Sequence, residues 1–169
     1  MLTPISIAFV TAAAETKTVS KFLLVSYLGS RQNKAPWWSE DDWKRVQDGN
    51  NGVLKNYYPA KLASDQALTA TGLKRGSEYA AICLRPGTLS DQDGEGLVSL
   101  GKTRGSGRVS RIDVARVAVE LLDSQSKSSW LDLLEGQESA QDAVARCVRE
   151  KVDSIEGEDV EGMVKKWLP

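Results

Sequence analysis

Three short and almost wholly apolar segments constrain the fold of this chain more than any other feature. They are residues 21–26, 79–85 and 129–134, and longer stretches with helical periodicity separate them. A strand that is apolar on both faces is typical of a sheet covered by helices on both sides. Strands that alternate with helices in this way pair in parallel. The sequence therefore predicts an α/β fold with a parallel sheet and flanking helices.

The first helix is predicted over residues 4–15, where apolar residues recur at helical spacing. Its buried side is expected to carry Ile5, Ala8, Phe9 and Ala12. A secretory signal is the alternative interpretation of this apolar stretch, although no Lys or Arg precedes it. The stretch is too short to span a bilayer as a helix.

Capping residues mark the other helices. Asn56 is predicted to be the N-cap of a helix that runs to about Thr71 and ends at Gly72. Ser110 and Ser139 are each followed by an acidic residue three positions later, which is the pattern of a helix N-terminus. These signals place a helix after each of the predicted strands.

The remaining segments are predicted to lack regular structure. Residues 27–55 form a long polar loop with three tryptophans, which either cover a substrate as a lid or pack back on the surface. The acidic run Glu40–Asp42 in this loop is interpreted as solvated, and no metal site is expected. Residues 87–108 are a glycine-rich segment. The acidic residues after 155 are interpreted as a solvated tail.

Composition excludes several classes of function. The net charge of −1, with acids and bases interspersed, offers no basic field for nucleic acid or for a membrane surface. Histidine is absent, which excludes Ser-His-Asp triads and histidine-based zinc sites. Cys83 and Cys147 lie in apolar patterns and are expected to be buried free thiols in a reducing compartment. We therefore expect a cytoplasmic protein.

Candidate functional residues follow the first two predicted strands. Ser26 ends the first strand, and Arg85, Pro86 and Gly87 end the second. Because ligands of parallel α/β sheets bind beyond the carboxyl ends of the strands, these residues are expected to line one cleft.

Tyr57 and Lys61 add a possible acid–base pair to that cleft. Residues four apart share one face of a helix, so the phenol and the ammonium point the same way. The lysine is expected to lower the pKa of the tyrosine towards the working range. Lysine also donates hydrogen bonds to the ribose of a nucleotide, and Ser26 is placed to orient a substrate carbonyl. Alone, a Tyr-x-x-x-Lys pattern more often marks a solvated helix face.

Together these segments resemble the atypical short-chain dehydrogenase/reductases, in particular the NAD(P)-binding NmrA-like or flavin-reductase-like branch with its fungal members. The resemblance covers about residues 4–150. Four stretches carry it, in this order: Lys21–Ser26, Tyr57–Leu68, Cys83–Leu89 and Val109–Ala115.

The resemblance implies the C-terminal part of a Rossmann-like sheet, NAD or NADP as cofactor, and often hydride transfer to a small carbonyl or quinone-like substrate. It assigns catalytic roles to Ser26, Tyr57 and Lys61, and it places Pro86 and Gly87 beside the nicotinamide. We count Tyr57, Lys61, Arg85, Pro86 and Gly87 as candidate cofactor-binding residues.

The chain departs from this family in one respect. Family members begin with a strand, a G-x-x-G-x-x-G turn and a helix, whereas this sequence starts at what resembles a later helix. Gly105-Ser106-Gly107 is interpreted as a tight turn, because no suitable strand precedes it. Without the glycine-rich turn, binding of NAD or NADP is expected to be weak or absent.

We divide the sequence into a partial NAD(P)-binding domain over residues 1–155 and a tail over 156–169. The alternative functions are a non-catalytic NAD(P)-sensing or protein-interaction module, or an inactive truncated form. A sheet that lacks its first strands exposes an edge, so self-association through that edge is also expected.

Overall fold

The computed structural model describes residues 2–168 and has a five-stranded sheet and a two-stranded sheet flanked by helices. The strands are β1 (Lys21–Val25), β2 (Ala80–Pro86), β3 (Thr88–Ser90), β4 (Leu97–Gly101), β5 (Arg108–Ser110), β6 (Ser129–Glu135) and β7 (Glu138–Ser139). The helices are α1 (Leu2–Glu15), α2 (Glu40–Asn51), α3 (Tyr58–Arg75), α4 (Arg111–Asp123), α5 (Ala140–Glu150) and α6 (Val160–Trp167). Within this described range, no helix has both the length and the apolar character needed to cross a membrane.

The α/β prediction is confirmed, and the sheet is mixed rather than wholly parallel. Its order is β1-β2-β6-β4-β7. β1, β2 and β6 are parallel, and β4 runs antiparallel to both β6 and β7. β3 and β5 form the small parallel sheet. The three strands predicted from apolar runs are therefore the parallel strands of this sheet. The antiparallel strand β4 lies in the glycine-rich segment, and β7 follows the short turn after β6.

Alternation of side chains along β2, the middle of the three parallel strands, separates two cores. Ile82 and Leu84 of β2 pack on the side covered by α4 and α5. Ala81 and Cys83 point to the opposite side, where α1, α3 and α6 lie. Every residue of β2 is buried, because side chains on both faces of this strand meet helices. Cys83 and Cys147 are buried free thiols, as predicted.

Helix α1 is present, but its predicted buried side is wrong. Val10 is fully buried, whereas Ile5 is 57% and Phe9 65% exposed, and Ala8 and Ala12 are exposed as well. The helix is apolar around much of its circumference, so the sequence pattern did not distinguish the side that faces the sheet. The result is an apolar face on α1 that no described residue covers.

Helix α2 corrects the prediction that residues 27–55 are a loop. Ser39 caps the helix by accepting a hydrogen bond from the Asp42 amide at 3.1 Å. The acidic run Glu40–Asp42 occupies the first turn, where negative charge stabilises the helix dipole. Asn50 is its buried residue. A helix with so few apolar residues has no strong periodic signal, which explains why the sequence did not reveal it.

Helix α3 begins and ends later than predicted. Tyr57, not Asn56, occupies the N-cap position, and it makes no side-chain capping bond. The helix continues through Gly72 to Arg75, and Gly76 follows with a positive φ of 64°. Gly72 has a packing role instead, because an added Cβ there would lie 2.5 Å from the Cβ of Ala81 on β2.

The C-terminal residues are part of the packed structure, which corrects their interpretation as a tail, although the acids Glu156, Asp159 and Glu161 are exposed as predicted. Met163 of α6 is buried in the same core as Val10. The carboxylate of Glu158 has no exposed surface and accepts hydrogen bonds from the backbone amides of Gln32 and Asn33. Residues 156–168 thus pack against the remainder of the chain.

Strand β1 lies at an edge of the sheet, since β2 is its one neighbouring strand among residues 2–168. The Ser26 amide donates a hydrogen bond to the Leu84 carbonyl, so the backbone amide and carbonyl groups of the even-numbered residues in this strand point towards β2. The backbone groups of Lys21, Leu23 and Val25 therefore point away from the sheet. The expected open edge is present, and self-association through it stays a prediction that sedimentation would test.

The contact between α3 and β2 predicts opposite effects of alanine at two helical glycines. Gly72→Ala is expected to lower the free energy of unfolding by about 1–3 kcal/mol, because the new methyl overlaps Ala81. Gly49→Ala in α2 has no atom within 4 Å of its added Cβ and is expected to stabilise by about 0.5–1 kcal/mol. Chemical denaturation measures both. Equal effects of the two substitutions would contradict the packing.

Candidate functional site

The predicted site residues gather at the carboxyl ends of β1 and β2 and at the start of α3. Lys61 lies one turn into α3, and its Nζ donates a hydrogen bond to the Val25 carbonyl at 2.9 Å. The same Nζ lies 5.6 Å from the centroid of the Tyr57 ring. The phenol and the ammonium are therefore both beside the end of β1, as the spacing of four residues requires.

Ser26 points into the protein rather than into a cleft, which corrects the expected orientation. It is 4% exposed, and its Oγ donates to Oδ2 of the buried Asp65 at 2.7 Å. Tyr27 is half-buried and turns the other way, so that its ring centroid lies 5.3 Å from that of Tyr57. Its hydroxyl donates to Oδ1 of Asn50 at 2.8 Å.

The electrostatic effect predicted for Tyr57 is also wrong in direction. Burial raises the pKa of Tyr57 above its ordinary value, and the negative charge of Asp65 raises it further. The Lys61 ammonium does not offset this. The phenol consequently stays protonated at neutral pH, which suits it to donate a proton rather than to accept one.

Arg85, a candidate cofactor ligand, is fully buried and uses its guanidinium inside the protein. Its Nε donates to Oδ1 of Asp132 at 3.0 Å, and its Nη1 lies 3.4 Å from Oδ2 of Asp65. Nη1 and Nη2 also donate to the backbone carbonyls of Ser30 and Leu28, each at 2.8 Å. The geometry gives this side chain no surface for a phosphate, and it ties the turn after β1 to the end of β2.

A second buried arginine anchors the tryptophans of the same region. The guanidinium carbon of Arg31 lies 5.5 Å from the ring centroids of both Trp37 and Trp38. Both indoles donate to the Thr103 carbonyl at 2.8 Å, and Trp38 is 3% exposed. Of the two interpretations of these tryptophans, packing against the protein is the one that the structure shows.

Tyr57 lies between two open depressions in the surface. The first, which we name the Tyr27–Tyr57 cleft, has a volume of about 490 Å³. It is lined by Tyr27, Leu28, Gly29, Arg45, Val46, Gly49, Asn50, Leu54, Tyr57, Pro86, Gly87, Thr88, Leu89, Gly105, Ser106, Gly107 and Arg111. The second, the α1–α3 groove, has a volume of about 330 Å³ and is lined by Ile5, Ser6, Phe9, Tyr57, Ala60 and Lys61. Tyr57 is shared by the two sets.

Some residues of this region were not found from the sequence. Asn50, Arg45 and Arg111 reach the cleft from helices α2 and α4, and nothing local in the sequence marks them. The buried ion pair did leave a signal in the sequence, because Arg85 and Asp132 are charged residues with apolar neighbours in the interior of two buried strands. A charge in a strand that is buried on both faces indicates a buried partner.

Family membership follows from comparison with known proteins. Residues 5–125 match the model of a family described as NAD(P)H-binding. The chain belongs to this family. The α/β fold agrees with that assignment.

Two known proteins illustrate the similarity. The uncharacterized sugar epimerase YhfK of Bacillus subtilis is 33% identical over 135 residues, which are 79% of this chain and 54% of that protein. The crystal structure of the oxidoreductase ylbE from Lactococcus lactis matches 85% of this chain and 58% of its own, with a TM-score of 0.64 and 22% identity. The chain thus spans little more than half the length of either protein.

The buried carboxylates predict an unusual pH dependence of stability. Burial raises the pKa of Asp132 to about 6, against the opposing effects of Arg85 and Arg31. An unfolded aspartate titrates near pH ~3.9, so the folded state holds an extra proton between about pH 4 and pH 6. This proton contributes stability that is fully present below about pH 4 and is lost as the pH rises through about 6.

Asp132→Asn should therefore flatten the fall in melting temperature between about pH 4 and pH 6. The side-chain oxygen of the asparagine can still accept the hydrogen bond from Arg85 Nε, and Asp65 remains as the charged partner of Arg85, so the variant is expected to fold. Thermal melts across this pH range measure the effect, with the exposed Asp93→Asn as control. Identical pH profiles for the Asp132 variant and the unchanged protein would contradict the raised pKa.

Proposed function

We propose that this chain acts as a NAD(P)H-dependent reductase of the atypical short-chain dehydrogenase/reductase type, in its NmrA-like or flavin-reductase-like branch. The proposed substrate is a small carbonyl or quinone-like compound. One observation carries the proposal: Tyr57 lies between the groove that contains Lys61 and the cleft that contains Pro86 and Gly87. A proton donor in that position serves a reaction between ligands on its two sides.

The α1–α3 groove fits the nicotinamide ribose of the cofactor. An ammonium group has three N–H donors, and Lys61 uses one of them for the Val25 carbonyl. The other two are available for ribose hydroxyls. Pro86 and Gly87 are placed at the end of β2 on the cleft side of Tyr57. In this proposal Arg85 holds the strand ends in place and does not contact the cofactor.

NAD(P)H would supply a hydride to the carbonyl carbon of the substrate. The residues of this chain supply the proton. Tyr57 Oη donates its proton to the carbonyl oxygen as charge develops there, and the phenolate regains a proton from solvent. The raised pKa of Tyr57 favours this direction, because the phenol is in its donating form at neutral pH. Ser26 is proposed to act indirectly, by holding Asp65 and the turn that presents Tyr27.

Two neighbouring tyrosines provide a matched test of the proton donor. Tyr57→Phe is expected to lower the rate of NADPH oxidation with a small quinone, such as 1,4-naphthoquinone, by about 10²–10⁴-fold. Tyr58→Phe removes a hydroxyl that donates to the Arg31 carbonyl at 2.9 Å, so it should cost about 0.5–1.5 kcal/mol of stability and leave the rate unchanged. Equal rates for the two variants would refute the role of Tyr57.

Cofactor binding is tested separately by calorimetric titration with NADH and NADPH. We expect a dissociation constant above about 100 μM, equivalent to about −5.5 kcal/mol, because the sequence has no G-x-x-G-x-x-G turn. Sub-micromolar binding would show that another element replaces this turn. If neither nucleotide binds at concentrations of about 10 mM, which would detect affinities as weak as about −2.7 kcal/mol, the reductase proposal is wrong.

A second candidate is a module that binds NAD(P) or another protein without turnover. The observation that favours it is the inward orientation of Ser26, whose hydroxyl is committed to Asp65. The same two experiments separate the candidates. Nucleotide binding without any NADPH oxidation would support the sensing module, whereas oxidation that depends on Tyr57 would support the reductase.

A further inference from the structure

We infer that the Tyr27–Tyr57 cleft accepts a substrate with a planar apolar body and a carboxylate, and that Arg45 and Arg111 bind the carboxylate. This inference rests on the proposed function in treating the cleft as the substrate side of Tyr57. It adds the chemical class of the ligand, which neither the fold nor the family determines.

The charge of the cleft is the first argument. Arg45 and Arg111 are the charged residues of its described lining, and no carboxylate is part of that lining. Asp42 and Asp91 pair with these arginines from outside the lining, so the charged groups that face the cleft itself are both positive. Two positive groups that line a cleft attract an anion and help to orient it.

The arginines keep donors free for a ligand. Nη1 of Arg45 lies 3.5 Å from Oδ1 of Asp42, and Nη1 of Arg111 lies 2.5 Å from Oδ1 of Asp91. Both aspartates lie outside the cleft lining. The arginine side chains remain 65% and 55% exposed. A guanidinium has five N–H donors in a planar fork, and that fork matches the two oxygens of a carboxylate.

The two arginines reach the cleft from different elements. Arg45 comes from α2, and its Nη1 is 3.4 Å from the hydroxyl of Ser106 in the turn before β5. Arg111 is the first residue of α4, whose N-terminus adds a partial positive charge.

The remaining lining selects the body of the ligand. Its apolar residues are Leu28, Val46, Leu54, Pro86 and Leu89. The rings of Tyr27 and Tyr57 are tilted by 51° with centroids 5.3 Å apart, which presents aromatic surface on the α3 side. An apolar pocket with a few polar groups at its edge is typical of a site for a small organic ligand. A ligand with a planar ring and one carboxylate would match both the apolar lining and the two arginines.

The test compares the binding of 2-naphthoate and 2-naphthamide, which differ in charge and share the same ring. Calorimetric titration of the full chain without nucleotide is expected to show the carboxylate binding about tenfold more tightly, a difference of about 1.4 kcal/mol. The double substitution Arg45→Gln and Arg111→Gln should remove this preference. Arg149→Gln, at an exposed arginine paired with Glu150 on α5, is the matched control and should retain it.

Three outcomes would overturn the inference. They are equal affinity for the two compounds, a carboxylate preference that survives the double substitution, and a preference lost in Lys61→Met alone, which would place the ligand in the α1–α3 groove. Because the arginines are exposed, their substitution should leave the melting temperature unchanged. The comparison of 2-naphthoate with 2-naphthamide on the unaltered chain tests the inference without any variant. The titration uses no NADPH, so its failure is distinct from a failure of the reductase proposal.

Discussion

The arrangement of this protein depends on the buried guanidinium of Arg85. It lies between the carboxylates of Asp132 on β6 and Asp65 on α3, and it also binds two carbonyls of the turn after β1. Two strands, a helix and a turn are thus joined at one charged group without contact to solvent. Removal of the arginine from such a cluster is expected to cost about 3–5 kcal/mol, because it leaves two buried carboxylates without a compensating charge.

This cluster determines which residues reach the ligand side of the sheet. Asp65 draws the hydroxyl of Ser26 inwards, and the alternation of side chains then turns Tyr27 outwards. Tyr27 meets Tyr57 at the cleft and holds the amide of Asn50 from α2. The residue that ends the first strand in the sequence motif is therefore a part of the interior, and its neighbour forms the wall of the cleft.

Tyr57 connects this interior to the two depressions where ligands are proposed to bind. Its position at the N-cap of α3 places it at the carboxyl ends of β1 and β2. Burial of its ring raises the pKa of Tyr57, and the negative charge of Asp65 raises it further, so the phenol stays protonated at neutral pH. Asp65, a member of the buried cluster, thus adds to the effect of burial on the pKa of the proposed acid.

The sequence by itself determined the α/β class, the three central strands, the helices capped by Ser110 and Ser139, and the common location of Tyr57 and Lys61, because these depend on local patterns and short spacings. The tertiary structure alone decided which side of α1 is buried, that α2 and α6 form, that Gly72 lies inside a helix, and that Ser26 and Arg85 face the interior. Those features depend on contacts between residues distant in the chain, such as Arg85 with Asp132 and Glu158 with Arg31. Hydrophobic periodicity shows which residues are apolar and how they are spaced. It does not show which distant residue packs against them or pairs with them, because that depends on the fold.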